Sequence, residues 1–220
     1  MNGSKPSTSS VCPFCQGYKI VEVDDPARPG QVKTVPCRCQ TPKLWQPAPA
    51  YARMTFAEFK ARPGEPSVQV AAQAALDFVR DDRTILTFSG PNGTGKTHLA
   101  VAIAHEMALA GKMPIFWSVA FLLDAIKRTF NDDSAPDVFT PCLSADLLVL
   151  DDLGAEKASD WVAEKLFMIL DFRYMHGSKT VVTTNLDPMG SLPPRIASRL
   201  CDVRQCRVQV MKAKDIRLIK

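Results

Sequence analysis

The hydrophobic pattern of the chain changes its period repeatedly between residues 67 and 210. Unbroken apolar runs of strand length alternate with longer stretches in which apolar residues recur at helical spacing. The pattern predicts helices at 67–82, 97–112, 120–130, 159–177 and 195–201, and strands at 84–90, 113–119, 146–152, 179–185 and 206–210. Because the strand runs are continuous, they indicate burial on both faces. The prediction is an α/β fold with a five-stranded parallel sheet flanked by helices.

Two residues mark expected helix ends. Ser67 is the expected N-cap of the first helix, since a serine side chain accepts a hydrogen bond from a free backbone N–H there. Gly111 is expected to end the second helix, because glycine adopts the left-handed conformation that closes a C-terminus.

The region before residue 67 has a different composition. Residues 11–40 carry four of the seven cysteines, and the stretch QTPKLWQPAPAYARMTF that follows is rich in proline. A proline-rich stretch of this kind is typical of a linker. The predicted organisation is therefore an N-terminal cysteine module at 1–45, a linker at 46–66 and a main domain at 67–220.

The overall composition, with 46% apolar and 23% charged residues, is that of a soluble globular protein. No apolar run approaches the roughly 20 residues of a membrane span, and the start MNGSKPSTSS lacks the apolar core of a secretory signal. We expect a cytoplasmic protein without membrane contact, whose cysteines are thiols or metal ligands. The net charge of +4 does not by itself indicate nucleic acid, although positive charge concentrates at 195–220, where it suits phosphate contacts.

The strongest chemical motif is GPNGTGKTH, at residues 90–98. It fits the P-loop pattern and lies between a predicted strand and a predicted helix, the context that the motif requires. Lys96 is predicted to reach the β- and γ-phosphates of ATP, and the Thr97 hydroxyl to bind Mg²⁺. Backbone N–H groups of the loop and the N-terminus of the helix would hold the phosphates. The predicted nucleotide-binding residues are Gly90, Pro91, Asn92, Gly93, Thr94, Gly95, Lys96, Thr97 and His98.

Two adjacent acids, Asp151 and Asp152, end the apolar run at 146–152. Taken alone they could be solvated residues of a loop. In a P-loop NTPase, however, a second strand that ends in an acid holds Mg²⁺. Asp151 is therefore the predicted metal-side carboxylate, and Asp152 is the acid predicted to polarise the attacking water.

Four cysteines near the start of the chain form a C-x₂-C and a C-x-C pair, made by Cys12, Cys15, Cys37 and Cys39. Two close thiolate pairs on turns can form a tetrahedral zinc site. A segment of about 30 residues buries too little core to fold alone, so a structural Zn²⁺ would supply stability. Free thiols or a redox pair are the alternatives, and the spacing and the expected compartment favour zinc.

The segments GPNGTGKTHLA, LLVLDDLGAEKASDWVAEKLF, TVVTTNLDP and RIASRL together resemble the DnaC/DnaI-type helicase loaders, AAA+ ATPases with IstB-type transposition relatives. The resemblance covers the chain from roughly residue 50 to its end. It implies a P-loop AAA+ core without the usual C-terminal lid, binding ATP and Mg²⁺. Its partners would be a replicative hexameric DNA helicase and single-stranded DNA. The DnaI-like branch also carries an N-terminal zinc module that binds the helicase.

The resemblance assigns further catalytic roles. Asn185 matches the sensor that orients the attacking water, and Arg199 matches an arginine finger that acts on a neighbouring subunit, which implies self-association. Arg195 lies one helical turn before Arg199 and is expected on the same face. Arg217 falls where the family keeps a sensor-II-like arginine, although for both Arg195 and Arg217 a surface arginine without a specific role is an equal alternative.

The same resemblance suggests contacts to DNA and to adenine. Lys127, Arg128 and Phe130 match the basic and aromatic positions of a DNA-contacting helix, and cations with a stacking ring suit single strands. Phe130 has the alternative of a core position. Residues 51–56, YARMTF, resemble the segment that closes over adenine, with a hydrophobic tether as the alternative.

The acid pair departs from the commonest AAA+ pattern, which is Asp-Glu. Glu156 is therefore a second candidate for a supporting acid, and the shorter Asp152 side chain favours a slow, switch-like ATPase that a partner or DNA stimulates. Three functions remain open at this point: an ATP-dependent helicase loader, an IstB-like transposition ATPase, and a non-enzymatic zinc adaptor that nucleotide holds in shape. The residues around the acid pair favour the loader, and so does the cysteine module.

Overall fold

The computed structural model describes residues 18, 20–24, 31–36, 47–61, 64–131, 134–155 and 159–215. The strands are β1 (Ile20–Asp24), β2 (Val32–Pro36), β3 (Ile85–Ser89), β4 (Pro114–Ser118), β5 (Leu147–Leu153), β6 (Lys179–Thr184) and β7 (Cys206–Val210). The helices are α1 (Pro66–Arg80), α2 (Lys96–Leu109), α3 (Val119–Asn131), α4 (Phe139–Ser144), α5 (Asp160–Met175) and α6 (Pro194–Leu200), with a short 3₁₀ helix at Pro49–Tyr51.

Five strands form one parallel sheet in the order β4–β5–β6–β3–β7. This confirms the predicted α/β class and the predicted strand number. Since β6 lies between β3 and β5, the loops that follow these three strands meet at one edge of the sheet. The P-loop sequence follows β3 and the acid pair lies near the end of β5, so the topology brings the two motifs together.

The core consists of one hydrophobic cluster on each face of the sheet. On the first face, α1 and α2 cover Leu86 and Phe88 of β3 and Val181 of β6. On the second face, α3, α5 and α6 cover Ile85, Leu148 and Val182. Burial of both faces explains why the strands are continuous apolar runs.

Gly111 closes α2 as predicted. Its φ is +79°, its N–H donates to Ala108 O, and the Lys112 N–H donates to Met107 O, each over 3.0 Å. These two hydrogen bonds form a Schellman motif, which satisfies the last carbonyls of the helix.

The prediction that Ser67 caps α1 is wrong. The helix begins one residue earlier because Pro66, whose φ is already helical, occupies its first position. Glu65 is the N-cap residue and makes no side-chain capping bond. The Ser67 hydroxyl instead donates to Lys212 O and accepts from Lys212 N–H, at 3.0 and 2.8 Å, and so links α1 to the segment after β7.

Three elements were not predicted. The antiparallel hairpin of β1 and β2 pairs Ile20 with Pro36 and Asp24 with Val32. Its strands carry charges at short intervals, so they show no apolar run. The other two are the 3₁₀ helix and α4, both short and both containing a proline. Within the described ranges, we find no helix with the length and apolar character of a membrane span.

Candidate functional site

The loop between β3 and α2 folds around glycines. Gly95 has φ +95° immediately before α2, and a Cβ there would lie 2.8 Å from a ring carbon of Phe59. Gly90 has φ +147°, and a Cβ there would collide with the Met211 carbonyl. Only glycine combines these conformations with such close neighbours.

Lys96 extends back over this loop. Its ammonium donates to Gly90 O at 2.8 Å and to Pro91 O at 2.7 Å, and the residue is only 7% exposed. The Thr94 hydroxyl donates to the same Pro91 carbonyl at 3.0 Å. The Lys96 ammonium therefore lies against two backbone carbonyls of the loop, a position from which it can turn to a phosphate chain.

Asp151 lies beside the start of α2. Its Oδ1 accepts hydrogen bonds from the Thr97 hydroxyl at 2.8 Å and the Thr183 hydroxyl at 2.7 Å. Burial raises the pKa of Asp151 above the usual range, with a smaller contribution from the Asp152 charge, and the two hydroxyl bonds and Lys96 oppose this shift. A carboxylate next to a hydroxyl is a pair of hard oxygen ligands, which fits Mg²⁺. Asp151 and Thr97 are thus together as predicted.

Asp152 points to the same site from an unusual backbone conformation. Its φ is +62°, and its N–H donates to Thr183 Oγ1 at 2.9 Å. Asn185 Nδ2 donates to Asp152 Oδ1 at 3.0 Å, so the two residues predicted to handle the attacking water are in contact.

These groups line a cavity of about 360 Å³ at the carboxyl edge of the sheet. It brings together most of the predicted nucleotide and catalytic residues. The lining residues are Met54, Asn92, Gly93, Gly95, Lys96, Thr97, His98, Asp151, Asp152, Thr183 and Asn185. Thr183 was missed, because a threonine inside a buried strand is common and its own position gives no signal.

The linker segment packs along α2 beside this cavity. His98 Nε2 is 2.8 Å from Thr55 O, and His105 Nε2 is 3.3 Å from Tyr51 O. The His98 ring also meets Phe59 edge to face, with centroids 5.1 Å apart. Burial, and after it the Asp151 charge, raises the pKa of Tyr51. The segment predicted to lie near adenine is thus adjacent to the cavity, into which Met54 projects.

Arg199 lies away from this cavity within its own chain. It lines a separate cavity of about 750 Å³ and donates from Nε to Asp171 Oδ1. Arg195 and Arg199 both lie over the ring of Phe167, at 5.6 and 5.8 Å from its centroid, so the prediction that they share a face is confirmed.

The residues predicted to contact DNA lie on α3. Lys127 Nζ is 5.1 Å from the ring centroid of Trp161, and Arg128 pairs with Asp124 at 2.6 Å one turn away. The side chain of Phe130 lies outside the described part of the structure. So do the remaining predicted residues, Cys12, Cys15, Cys37, Cys39, Glu156 and Arg217.

Comparison with known proteins gives a family. The model of the IstB-like ATP binding proteins matches residues 45–191, more than half of the chain. The chain belongs to this family.

Curated proteins similar to this chain include the replicative helicase loader DnaC of Escherichia coli K12, 33% identical over 117 residues, 52% of this chain and 47% of that protein. DnaC of Buchnera aphidicola subsp. Schizaphis graminum is 31% identical over 144 residues, 64% of this chain and 58% of that protein. The chain thus spans about half the length of the curated relatives it matches. It is also similar to a crystal structure of the DnaC helicase loader, with a TM-score of 0.66 and 26% identity over 75% of this chain and all of that chain.

Proposed function

We propose that this IstB-like protein is an ATP-hydrolysing helicase loader. The observation that carries the enzymatic part is the arrangement around the 360 Å³ cavity, where Lys96, the Thr97–Asp151 pair and the Asn185–Asp152 pair line one space. The loader part rests on the similarity to DnaC.

Each group in the cavity has a chemical task in ATP hydrolysis. Lys96 would exchange its bonds to the loop carbonyls for bonds to the β- and γ-phosphates. Thr97 and Asp151 would hold Mg²⁺, which neutralises phosphate charge when bound. A water oxygen attacks the γ-phosphorus, its proton passes to Asp152, and the bond to the bridging oxygen breaks to give ADP and phosphate. Asn185, which already orients Asp152, would hold that water in line.

Arg199 would complete this site in a neighbouring subunit. An arginine finger supplied in trans stabilises charge on the γ-phosphate in the transition state. Arg199 lies outside its own chain's cavity, as a trans role requires. Hydrolysis would therefore depend on self-association and act as a switch.

The partners follow from the relatives. We infer that a replicative hexameric helicase binds the protein and that ATP binding and hydrolysis time its transfer onto single-stranded DNA in the cytoplasm. Lys127, Arg128 and Phe130 on α3 would contact that strand. In the free protein Arg128 already pairs with Asp124, so DNA phosphate would have to replace this exposed ion pair, which is worth little in water.

The cysteine module would bind the helicase. The β1–β2 hairpin lies between the two cysteine pairs in sequence, with Cys15 five residues before Ile20 and Cys37 directly after Pro36. Since Ile20 pairs with Pro36, the hairpin returns the chain to the end from which it started. A single zinc ion bound by Cys12, Cys15, Cys37 and Cys39 is compatible with that path.

A second candidate is a transposition ATPase that acts on DNA with a transposase, which the IstB-like family model favours. Affinity capture with a purified replicative helicase and with a transposase separates the two. Capture of the protein by the helicase in the presence of ATP supports the loader function. Capture by the transposase and not by the helicase overturns the loader function. ATP binding without turnover, even with helicase and single-stranded DNA, would instead leave a non-enzymatic adaptor.

A further inference from the structure

Strand β5 has one residue more than its neighbour at the acid pair. Leu150 pairs with Val182 of β6, and regular pairing resumes at Leu153 with Thr184. Three steps along β5 therefore match two along β6, which defines a β-bulge. The additional residue lies in the Asp151–Asp152 segment.

The bulge decides which way Asp152 points. Before it, residues alternate: Leu147 and Val149 pack on the α1 and α2 face, Leu148 and Leu150 on the opposite face. Strict alternation would send Asp152 into the core beside Leu150. Instead Leu153 occupies that core position, and Asp152 reaches the cavity that Asp151 also lines.

One hydroxyl contacts both acids in this bulge. Thr183 Oγ1 donates to Asp151 Oδ1 at 2.7 Å and accepts the Asp152 N–H at 2.9 Å, and Thr183 is 1% exposed. Asp152 is the one non-glycine residue with positive φ within the described ranges, a conformation that needs support from its surroundings. Among side chains of this size, only a hydroxyl donates and accepts strongly at the same atom.

We propose that Thr183 is a positioning residue of the hydrolytic site, whose hydroxyl fixes the placement of Asp151 relative to Asp152. The hydroxyl binds Oδ1 of Asp151 and not Oδ2. It also holds the backbone N–H of Asp152, whose side chain accepts a hydrogen bond from Asn185. This assignment rests on the proposed function in one respect, namely that Asp151 and Asp152 serve ATP hydrolysis.

Thr184 supplies a matched control. Its hydroxyl donates to Leu153 O at 2.7 Å and accepts the Leu186 N–H at 3.0 Å, so it supports the other side of the same bulge. It is fully buried, its hydroxyl bonds go to Leu153 and Leu186 and not to either acid, and it does not line the cavity.

The experiment compares Thr183→Val, Thr183→Ser and Thr184→Val in the full chain. Affinity for a fluorescent ATP analogue is measured with Mg²⁺ and with EDTA, and ATP turnover is measured with helicase and single-stranded DNA. Thermal melting reports the folded fraction of each variant. Thr183→Ala, which places no methyl group at the hydroxyl position, replaces the valine variant if that variant does not fold.

Thr183→Val should retain affinity in EDTA, because Lys96 and the loop are unchanged. Its gain in affinity from Mg²⁺ and its kcat should each fall about tenfold, since hydrogen bonds to charged groups have effects of this order. Thr183→Ser should restore both values, and Thr184→Val should lower the melting temperature while it keeps them.

A Thr183→Val protein with unchanged Mg²⁺ gain and kcat overturns the proposal, as does an equal loss in Thr184→Val. If the wild-type protein hydrolyses no ATP in any mixture, the proposed enzyme fails. The Mg²⁺ gain then still tests Thr183 independently.

Discussion

Arg199 donates a hydrogen bond from Nε to Oδ1 of Asp171 over 2.6 Å, and both side chains are about one-third exposed. The guanidinium also lies 5.1 Å from the ring centroid of Tyr174 and 5.8 Å from that of Phe167. Neither terminal nitrogen of Arg199 donates a hydrogen bond to another group in the described ranges. Asp171 therefore orients the side chain through Nε and leaves both terminal nitrogens available, as the proposed arginine finger would require.

Asp171→Asn should reduce ATP turnover in the assembled protein about tenfold, because an amide orients the guanidinium less firmly than a carboxylate does. Arg199→Ala should remove the stimulation that self-association provides, while ATP affinity of both variants stays at the wild-type value. Steady-state kinetics over a range of protein concentrations measures this. Asp77→Asn is the control, since Asp77 forms a looser ion pair with Arg207 at 3.9 Å. Equal loss of ATP affinity and of turnover in Arg199→Ala would contradict the finger assignment.

Most of the fold could be predicted because strands that are buried on both faces of a sheet are continuous apolar runs in the sequence. Strand β7, for example, has the bounds that the sequence predicts. The hairpin of β1 and β2 and the short α4 carry no such signal. The α4 segment depends on Arg173, a distant residue on α5, and local sequence contains no information about that contact.

The candidate site was predictable where chemistry demands a fixed motif. Lys96, Thr97 and Asp151 lie together because β3 and β5 both run next to β6 and end at the same edge of the sheet. The bulge at Asp152 was not predictable, since it depends on the register between β5 and β6 and on the Thr183 hydroxyl. Whether one or two acids reach the cavity is therefore decided by tertiary structure.

Lys96→Ala should weaken ATP binding about a hundredfold. The buried ammonium would donate at least two charge-assisted hydrogen bonds to phosphate oxygens, together worth about 3 kcal/mol. Titration with a fluorescent ATP analogue measures the change. Lys112→Ala is the control. Lys112 is 43% exposed and forms a loose ion pair with Asp146, 3.9 Å between Nζ and Oδ1, outside the cavity. If Lys96→Ala weakens ATP binding only about tenfold, the ammonium stays on the loop carbonyls when nucleotide binds.

Arg173→Met should destabilise the protein by about 3–5 kcal/mol, because it leaves several buried carbonyls without a donor and each such group costs about 1–3 kcal/mol. Arg173 is fully buried and donates to three carbonyls at the end of α4, those of Cys142, Leu143 and Ala145, each at 3.0 Å. Burial lowers its pKa to about 10, which leaves it charged at neutral pH. Urea denaturation measures the free energy of unfolding. Arg53→Met, at a side chain 88% exposed, is the control and should change it little. A loss below about 1 kcal/mol would show that α4 forms without this anchor.

Metal analysis of the purified full chain should give one Zn²⁺ per chain if the cysteine module binds zinc. Cys37→Ser should abolish zinc binding and helicase capture, because a tetrahedral site needs all four ligands. ATP affinity should be unchanged. Cys142→Ser, at a buried thiol in the main domain, is the control for loss of a cysteine as such. If helicase capture persists after zinc removal and in Cys37→Ser, the cysteine module does not bind the helicase.

Asp151 should make the metal-free protein less stable as the pH rises. Its folded-state pKa lies above that of the unfolded chain, so between these two values the folded state holds the proton more firmly. The resulting stability is complete below the unfolded pKa and is lost as the pH rises through the folded pKa. At neutral pH the buried carboxylate is therefore a destabilising charge until Mg²⁺ neutralises it.

Asp151→Asn should melt at a higher temperature than the wild-type protein at pH 7 in EDTA, because asparagine Oδ1 can still accept from Thr97 and Thr183. The difference should shrink as the pH falls toward 4, where the wild-type carboxyl becomes protonated. With MgATP the order should reverse, since only the wild-type protein gains the full stabilisation of bound metal and nucleotide. Asp152→Asn, at an exposed carboxyl, is the control and should show no comparable rise in EDTA. A melting temperature for Asp151→Asn at or below that of the wild type at pH 7 in EDTA would mean that the hydroxyl bonds outweigh the burial of the charge.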